Sequence, residues 1–260
     1  MGILNLTPDS FYDGNIHINK EFINYKIKSY KNADIIDIGA ESSRPYSRKI
    51  SIIEEIKRLD VFIENNPKLN CLLSIDSYKY EVIKYALENN FNIINDISGG
   101  GENNKNIALA SEFNVPIVIM HMQGNPETMQ INPKYNNIVD DIIEYFEKKI
   151  YIMKNEFNLS DNQIILDPGI GFGKSIDDNY KLINNISRFK KIGFPLLIGL
   201  SRKSFLTIGN DSPKDRLVQS LIMQSISLYN GADCIRTHDV EDTYKFLEIN
   251  NKLKLKDNKN

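Results

Sequence analysis

Cys71-Leu72-Leu73-Ser74-Ile75-Asp76 is followed, one helix-length later, by Ile93-Ile94-Asn95-Asp96-Ile97. Each run is too short for a helix and rich in Ile or Leu, so each reads as a buried parallel strand. Each also carries polar groups at its end. The pattern repeats at Gly2–Leu6, Ile35–Gly39, Pro116–Met120, Ile164–Asp167, Leu196–Gly199 and Cys234–His238. The polar residues fall at Asn5, at Glu41 just past the second run, then at Asp76, Asn95 with Asp96, His121, Asp167, Arg202 with Lys203, and His238. A doubly wound open sheet also alternates strand and helix, but usually with fewer strands. In a (β/α)₈ barrel the carboxyl ends of all strands converge on one rim, and that rim carries the chemistry. The expected fold is therefore α/β, a single (β/α)₈ TIM barrel. It is expected to span residues 1–251, with 252–260 as a polar, disordered tail.

The intervening segments have helical spacing. Val139, Ile142, Ile143, Phe146, Ile150, Met153 and Phe157 make one apolar stripe. Another helix is predicted from Ser212-Pro213, with Ser212 as cap and Pro213 in the first turn, to a stop at Asn230-Gly231. Its apolar residues (Leu217, Val218, Leu221, Ile222, Met223, Ile226, Leu228 and Tyr229) cover more than one face. The excess marks either a homodimer interface or a deeply packed helix.

Bulk properties narrow the function classes. A net charge of -2 gives no electrostatic footprint for nucleic acid. No apolar run is long enough to span a membrane, and no signal peptide precedes the first strand. Cys71 and Cys234 lack metal-ligand spacing and read as free thiols in a reducing, cytoplasmic compartment. The partners expected are small molecules.

The rim residues suggest what those molecules are. Asp76, Asn95 and Asp167 end strands three, four and six. A carboxylate can accept two parallel N–H bonds from an amidine-like ring edge, so a pterin or guanine suits them. Arg44, Arg202, Lys203, Arg236 and His238 bring cations to the same rim, which suits a phosphate or diphosphate. The run Asp167-Pro168-Gly169-Ile170-Gly171-Phe172-Gly173-Lys174-Ser175 is not a Walker A loop, because Pro168 stands where glycine is required. It reads as a glycine-rich turn that lets backbone approach a ligand. No histidine–cysteine cluster supports zinc.

Together these segments resemble the dihydropteroate synthase family over nearly the whole barrel. The opening Met1-Gly2-Ile3-Leu4-Asn5-Leu6-Thr7-Pro8-Asp9-Ser10-Phe11 is similar to that family's first strand and loop. Asp37-Ile38-Gly39-Ala40-Glu41-Ser42-Ser43-Arg44-Pro45 is similar to its second signature. Ser74–Lys79, Asn95–Gly100, Met120–Gly124, Asp167–Lys174, Ser201–Ser204 and Arg236–Asp239 follow in order. The resemblance implies condensation of a dihydropterin-methyl diphosphate with p-aminobenzoate, by dissociative C–O cleavage and arylamine attack. It implies pterin contacts at Asp76, Asn95, Asp167 and Lys203, near Gly199. It implies diphosphate contacts at Asn5 (through Mg²⁺), Arg44, Arg236 and His238, beside Arg202. Ser43, Pro45, Phe172 and Ser204 would line the p-aminobenzoate pocket under Phe11. Asp9 would order the first of two lid loops. Arg44, Asp76, Lys203, Arg236 and His238 are the residues expected to act in catalysis.

The chain departs from that pattern in the same loops. Ser43 stands where Thr is usual, and Tyr12 and Tyr46 stand where small residues are common, so both tyrosines are expected to alter affinity for p-aminobenzoate and its sulfonamide analogues. The first strand opens the chain directly, where relatives usually carry an extension over the barrel bottom; this bears on stability more than on chemistry. Two rivals share the fold. A methyltetrahydrofolate-dependent methyltransferase would need the pterin ligands but not the cation cluster. A catalytically inactive pterin- or folate-binding homologue need not keep both half-sites.

Overall fold

The structure, a computed structural model, describes residues 1–7, 20–42, 47–65, 69–124, 126 and 128–257, with side chains as far as Lys252. The apolar runs become eight strands: β1 (Gly2–Asn5), β2 (Ile35–Gly39), β3 (Leu72–Asp76), β4 (Ile93–Asp96), β5 (Ile117–Met120), β6 (Ile164–Asp167), β7 (Leu197–Gly199) and β8 (Cys234–Arg236). Helices separate them: α1 (Lys20–Ser29), α2 (Ile52–Asn65), α3 (Tyr80–Glu88), α4 (Lys105–Glu112), α5 (Ile138–Asn155), α6 (Ile176–Asn184) with the short α7 (Ile186–Lys190), α8 (Leu217–Tyr229) and α9 (Val240–Asp257).

Strands β1 to β6 pair in chain order, all parallel, and β7 pairs with β8. Two bridges close the ring. Leu166 meets Leu196 between β6 and β7, and Gly2 meets Thr237 between β1 and the end of β8. Ile3 N–H donates to the Thr237 carbonyl at 2.9 Å, and Thr237 N–H donates to the Met1 carbonyl at 3.0 Å. A doubly wound sheet would leave two edges open; here β8 returns to β1, so the fold is the expected (β/α)₈ barrel. Strand β8 ends at Arg236, short of His238, because Thr237 has left the β7 ladder to bridge β1.

Side chains alternate along each strand. The outward set, including Leu4, Ile36, Ile38, Ile75, Ile94, Ile119, Leu166, Ile198 and Ile235, packs with the helices into the main core. The inward set at the amino end is a separate apolar cluster of Ile93, Val118 and Leu197, with Met1, Ile35, Ile165 and Cys234 against it. At the carboxyl end the inward positions turn polar. The register aligns Asn5 with Gly39, Gly39 with Asp76, and Asp76 with Asn95, which sets these residues in one row.

The helices dock as their stripes require. In α5, capped by the Asn137 side chain on the Val139 N–H, the buried residues are Ile138, Val139, Ile142, Phe146 and Met153. Fully burying a residue such as Phe146 contributes about 1.5–3 kcal/mol. Before α8, Ser212 and Asp215 form a capping box on the turn Pro213–Arg216. Helix α8 itself is inverted. Its buried residues are Ser220, Gln224, Ser227 and Leu228. Val218, Ile222, Ile226 and Tyr229 face outward at 64%, 51%, 39% and 85% exposure. The apolar excess is therefore not explained by deep packing. Helix α9 runs past Asn251 to Asp257, into the segment expected to be an unstructured tail. Among the described residues no helix is long and apolar enough to cross a membrane.

Candidate active site

The strand-end polar residues divide into two groups. One group anchors loops. Asp96 accepts from the Ser98 N–H at 2.7 Å, the Gly100 N–H at 2.9 Å and the Asn106 amide at 2.9 Å, and so shapes the turn after β4. Glu41 accepts from the Ile50 N–H at 3.1 Å and pairs with Lys79 at 2.8 Å. Arg202 is bound by Asp239, with Nε at 3.0 Å, and its backbone N–H donates to Ser220 at 2.8 Å. His121 lies between Tyr135 and Tyr145, with its Nδ1 3.2 Å from Lys174 Nζ. These groups hold the rim in shape; their partners are parts of the chain.

The other group lines the mouth. Arg236 leaves β8 and spans the barrel: Nε donates to Asp37 Oδ2 at 2.6 Å, and Nη2 to Asp76 Oδ2 at 2.5 Å. Asn95 Nδ2 donates to the same Asp37 oxygen at 2.9 Å. Asp37 is fully buried, and its Oδ1 has no hydrogen-bond partner among the described residues. Gly39 leaves room for Asp76, because a Cβ there would lie 3.3 Å from Asp76 Oδ2. Across the mouth, Asp167 Oδ1 accepts from the Gly169 N–H at 2.7 Å. Lys203 Nζ stands 4.1 Å from the centre of the Phe172 ring, a cation–π contact.

The charges are held at a cost. Burial raises the Asp76 pKa to about 7, and nearby Asp37 adds to the rise against Arg236 and Lys203. Burial likewise raises Asp167, opposed by the Gly169 N–H and by Lys203. Burial lowers Lys203 to about 8, helped by repulsion from Arg236 and opposed by Asp167 and Asp76. For Arg236 burial works against the charge, but Asp37 and Asp76 outweigh it and raise its pKa. Acids pushed up and a lysine pushed down, facing one mouth, are a mark of a binding or catalytic centre.

Asp76, Asn95, Asp167, Phe172, Lys203 and Arg236 are thus brought together as expected. Asn5 is half-buried in the row that holds Asp76. A Cβ at Gly199 would meet nothing within 4 Å, so β7 ends beside open space. His238 is half-buried, its backbone N–H on Ser201 Oγ at 3.1 Å, and Ser204 is exposed at the start of a short turn. Asp9, Phe11, Ser43, Arg44 and Pro45 lie outside the described residues, as do Tyr12 and Tyr46. Asp37 was not expected as part of the site. Its only signal is position: an acid two residues before Gly39, on the inward phase of an otherwise apolar strand. The glycine-rich run also packs closely on the chain. A Cβ on Gly169 would fall 1.9 Å from the His121 carbonyl, and Gly169 has a φ of +68°.

Comparison with known proteins fits this geometry. Residues 1–238 match the family model described as pterin binding enzyme. The dihydropteroate synthase of Escherichia coli K12 is 37% identical over 96% of this chain and 89% of its own length. The structure of the Yersinia pestis dihydropteroate synthase in a sulfonamide drug complex superposes with a TM-score of 0.90 at 35% identity, covering 98% of this chain and 93% of that one. The Xanthomonas albilineans dihydropteroate synthase in complex with 7,8-dihydropteroate gives a TM-score of 0.86 at 29% identity, with 98% and 92% covered.

Proposed function

This chain belongs to the pterin-binding enzyme family, and from that premise we propose that it joins 7,8-dihydropterin-6-ylmethyl diphosphate to p-aminobenzoate, giving 7,8-dihydropteroate and pyrophosphate. One observation carries the reading: two carboxylates, the half-buried Asp76 and the buried Asp167, share one mouth with Lys203 and Arg236. That set suits a flat ring with an N–H edge that bears an anionic leaving group.

The reaction needs no protein nucleophile. The C–O bond breaks with its electron pair on pyrophosphate, the arylamine lone pair forms the new C–N bond, and the amine proton leaves to solvent. The protein's part is placement and electrostatics. Asp76 and Asp167 accept the ring N–H groups, and Asn95 flanks them. Arg236 spends Nε–H on Asp37 and one Nη2–H on Asp76, so three of its five N–H groups remain for phosphate oxygens. From the family resemblance, Arg44 and His238 would contact the leaving diphosphate. Asp37 holds Arg236 and Asn95 at once, so it aims both half-sites.

Mg²⁺ fits this donor set as a companion of the diphosphate. Among the described residues no three His, Cys, Asp or Glu side chains gather to hold a metal. An ion held mainly by phosphate oxygens and water requires little more from the protein than the Asn5 amide oxygen. When bound, such an ion offsets negative charge on the leaving group.

The outward stripe of α8 supports a homodimer, because Val218, Ile222, Ile226 and Tyr229 form one exposed apolar ridge. The free thiols Cys71 and Cys234 support a cytoplasmic location. Sulfonamides are expected to compete with p-aminobenzoate, as the Yersinia pestis complex suggests.

Pyrophosphate release from the pterin diphosphate with Mg²⁺, with and without p-aminobenzoate, tests the reading. Release coupled to dihydropteroate formation, and lost in Asp76→Ala, is expected. Pterin binding without release would instead favour an inactive homologue.

A further inference from the structure

Lys174 is a lysine only 3% exposed, and no step of the proposed reaction uses it. Its Nζ lies 2.8 Å from the Phe172 carbonyl, 3.1 Å from the His121 carbonyl and 3.2 Å from His121 Nδ1. An ammonium has three donors, and here three acceptors meet it. The network assigns neutral His121 with Nδ1 accepting, in keeping with a His121 pKa that burial and Lys174 lower to about 3. Burial also draws Lys174 down to about 7, with Asp167 and Asp178 opposing and Lys203 assisting. A buried charge kept against that desolvation has a specific use or is a structural cost.

Its place in the loop indicates the use. The glycine carbonyls of the turn are each held. Gly169 accepts from Phe172 N–H, Gly171 from Gln130 at 3.0 Å, and Gly173 from the Tyr135 hydroxyl at 2.7 Å. The Phe172 carbonyl is held by Lys174, and through Lys174 it is tied to the end of β5. The Phe172 side chain is the one that reaches the mouth, where its ring stands over Lys203.

We propose that Lys174 is a positioning residue: by pinning the Phe172 carbonyl to His121, it sets where the Phe172 ring stands over Lys203 and therefore how a flat substrate stacks in the mouth. The proposal rests on the functional reading above, in which the mouth takes two flat substrates. A ring displaced by about 1 Å can lower rates by as much as about a hundredfold, so a backbone anchor behind the ring matters although it touches no substrate.

The test is a double-mutant cycle on Lys174→Met and Phe172→Leu, with KM measured for each substrate and kcat alongside. Phe172→Leu identifies which substrate the ring contacts. Lys174→Met is expected to raise the KM for that same substrate on the order of tenfold and the other by less than about threefold. The double variant is expected to be no worse than Phe172→Leu alone, because both changes remove one interaction. Lys174→Gln, which keeps two N–H donors, should recover most of the loss, and it serves if Lys174→Met does not fold. Additive effects, an equal rise in both KM values, no change in either, or failure of both Lys174 variants to fold would each overturn the proposal. Turnover by the parent protein separates this from the larger reading: no dihydropteroate from the parent sinks the proposed function, whereas an active parent with additive variants sinks only the role of Lys174.

Discussion

The two ends of the barrel interior are built from the same eight strands and follow opposite rules. At the amino end Ile93, Val118 and Leu197 interlock with Ile35, Ile165 and Cys234. The residues of this cluster are apolar and gain free energy by leaving water. At the carboxyl end the same inward phase carries Asp37, Asp76, Asn95, Asp167 and Arg236. Those groups are buried or half-buried without full compensation: Asp37 Oδ1 has no partner among the described residues, and desolvation shifts Asp76, Asp167 and Lys203 toward their neutral forms. One end supplies stability that the other spends on readiness to bind. The contrast predicts that substitutions at the two ends damage different properties.

Arg236→Ala should have the largest effect. It leaves Asp37 and Asp76 buried without their cation, so steady-state kinetics should show kcat/KM down by roughly a thousandfold, and denaturant unfolding a loss of about 3–5 kcal/mol. Leu197→Ala probes the other end. Urea titration should show about 2–5 kcal/mol less stability from the cavity, with kcat within about twofold of the parent. A large kcat loss in Leu197→Ala would break the division between the two ends.

Acidity sharpens the same contrast. Because Asp76 titrates near 7 and Lys203 near 8, the kcat/KM for the pterin diphosphate should peak between those values and fall about tenfold per pH unit on either side. Stability should move the other way. The raised Asp76 pKa means that the folded state binds more protons than the unfolded chain between about pH 4 and pH 7. The parent should therefore gain stability relative to Asp76→Asn as pH falls from 8 to 5, while activity declines. A parent that instead lost ground to Asp76→Asn would show that Asp76 is stabilised, not strained, by its surroundings. The smallest effect is expected at the outer surface. Ile222→Glu in α8 should disrupt the proposed homodimer, read by light scattering against the parent, with kcat/KM changed less than about threefold, because the ridge lies outside the barrel.

Much of this was legible in the chain. Every apolar run became a strand, with ends shifted by no more than two residues, because a buried parallel strand needs a short, continuous apolar segment. The rim set Asp76, Asn95, Asp167, Lys203 and Arg236 was legible too, because strand ends in a closed barrel share one rim. Other features were not. Arg202 reads in sequence as one more rim cation beside Lys203, yet it turns to Asp239. The close packing of Gly169 on the His121 carbonyl is likewise visible only in the fold. The tyrosines at positions 12 and 46 remain matters of sequence, since both lie outside the described residues.

The chain by itself determined what is periodic or local: strand and helix order, the cap at Ser212, and the collection of polar groups at strand ends. Only the tertiary structure decided which of those groups face the mouth and which tie down loops. It joined Asp37 to Arg236, 199 positions apart, and chose Asp239 for Arg202. It also turned the apolar side of α8 outward. The physical reason is that hydrophobic periodicity is written along the chain, whereas the partner of a buried charge is selected by distance and desolvation across the closed barrel, which no local pattern encodes.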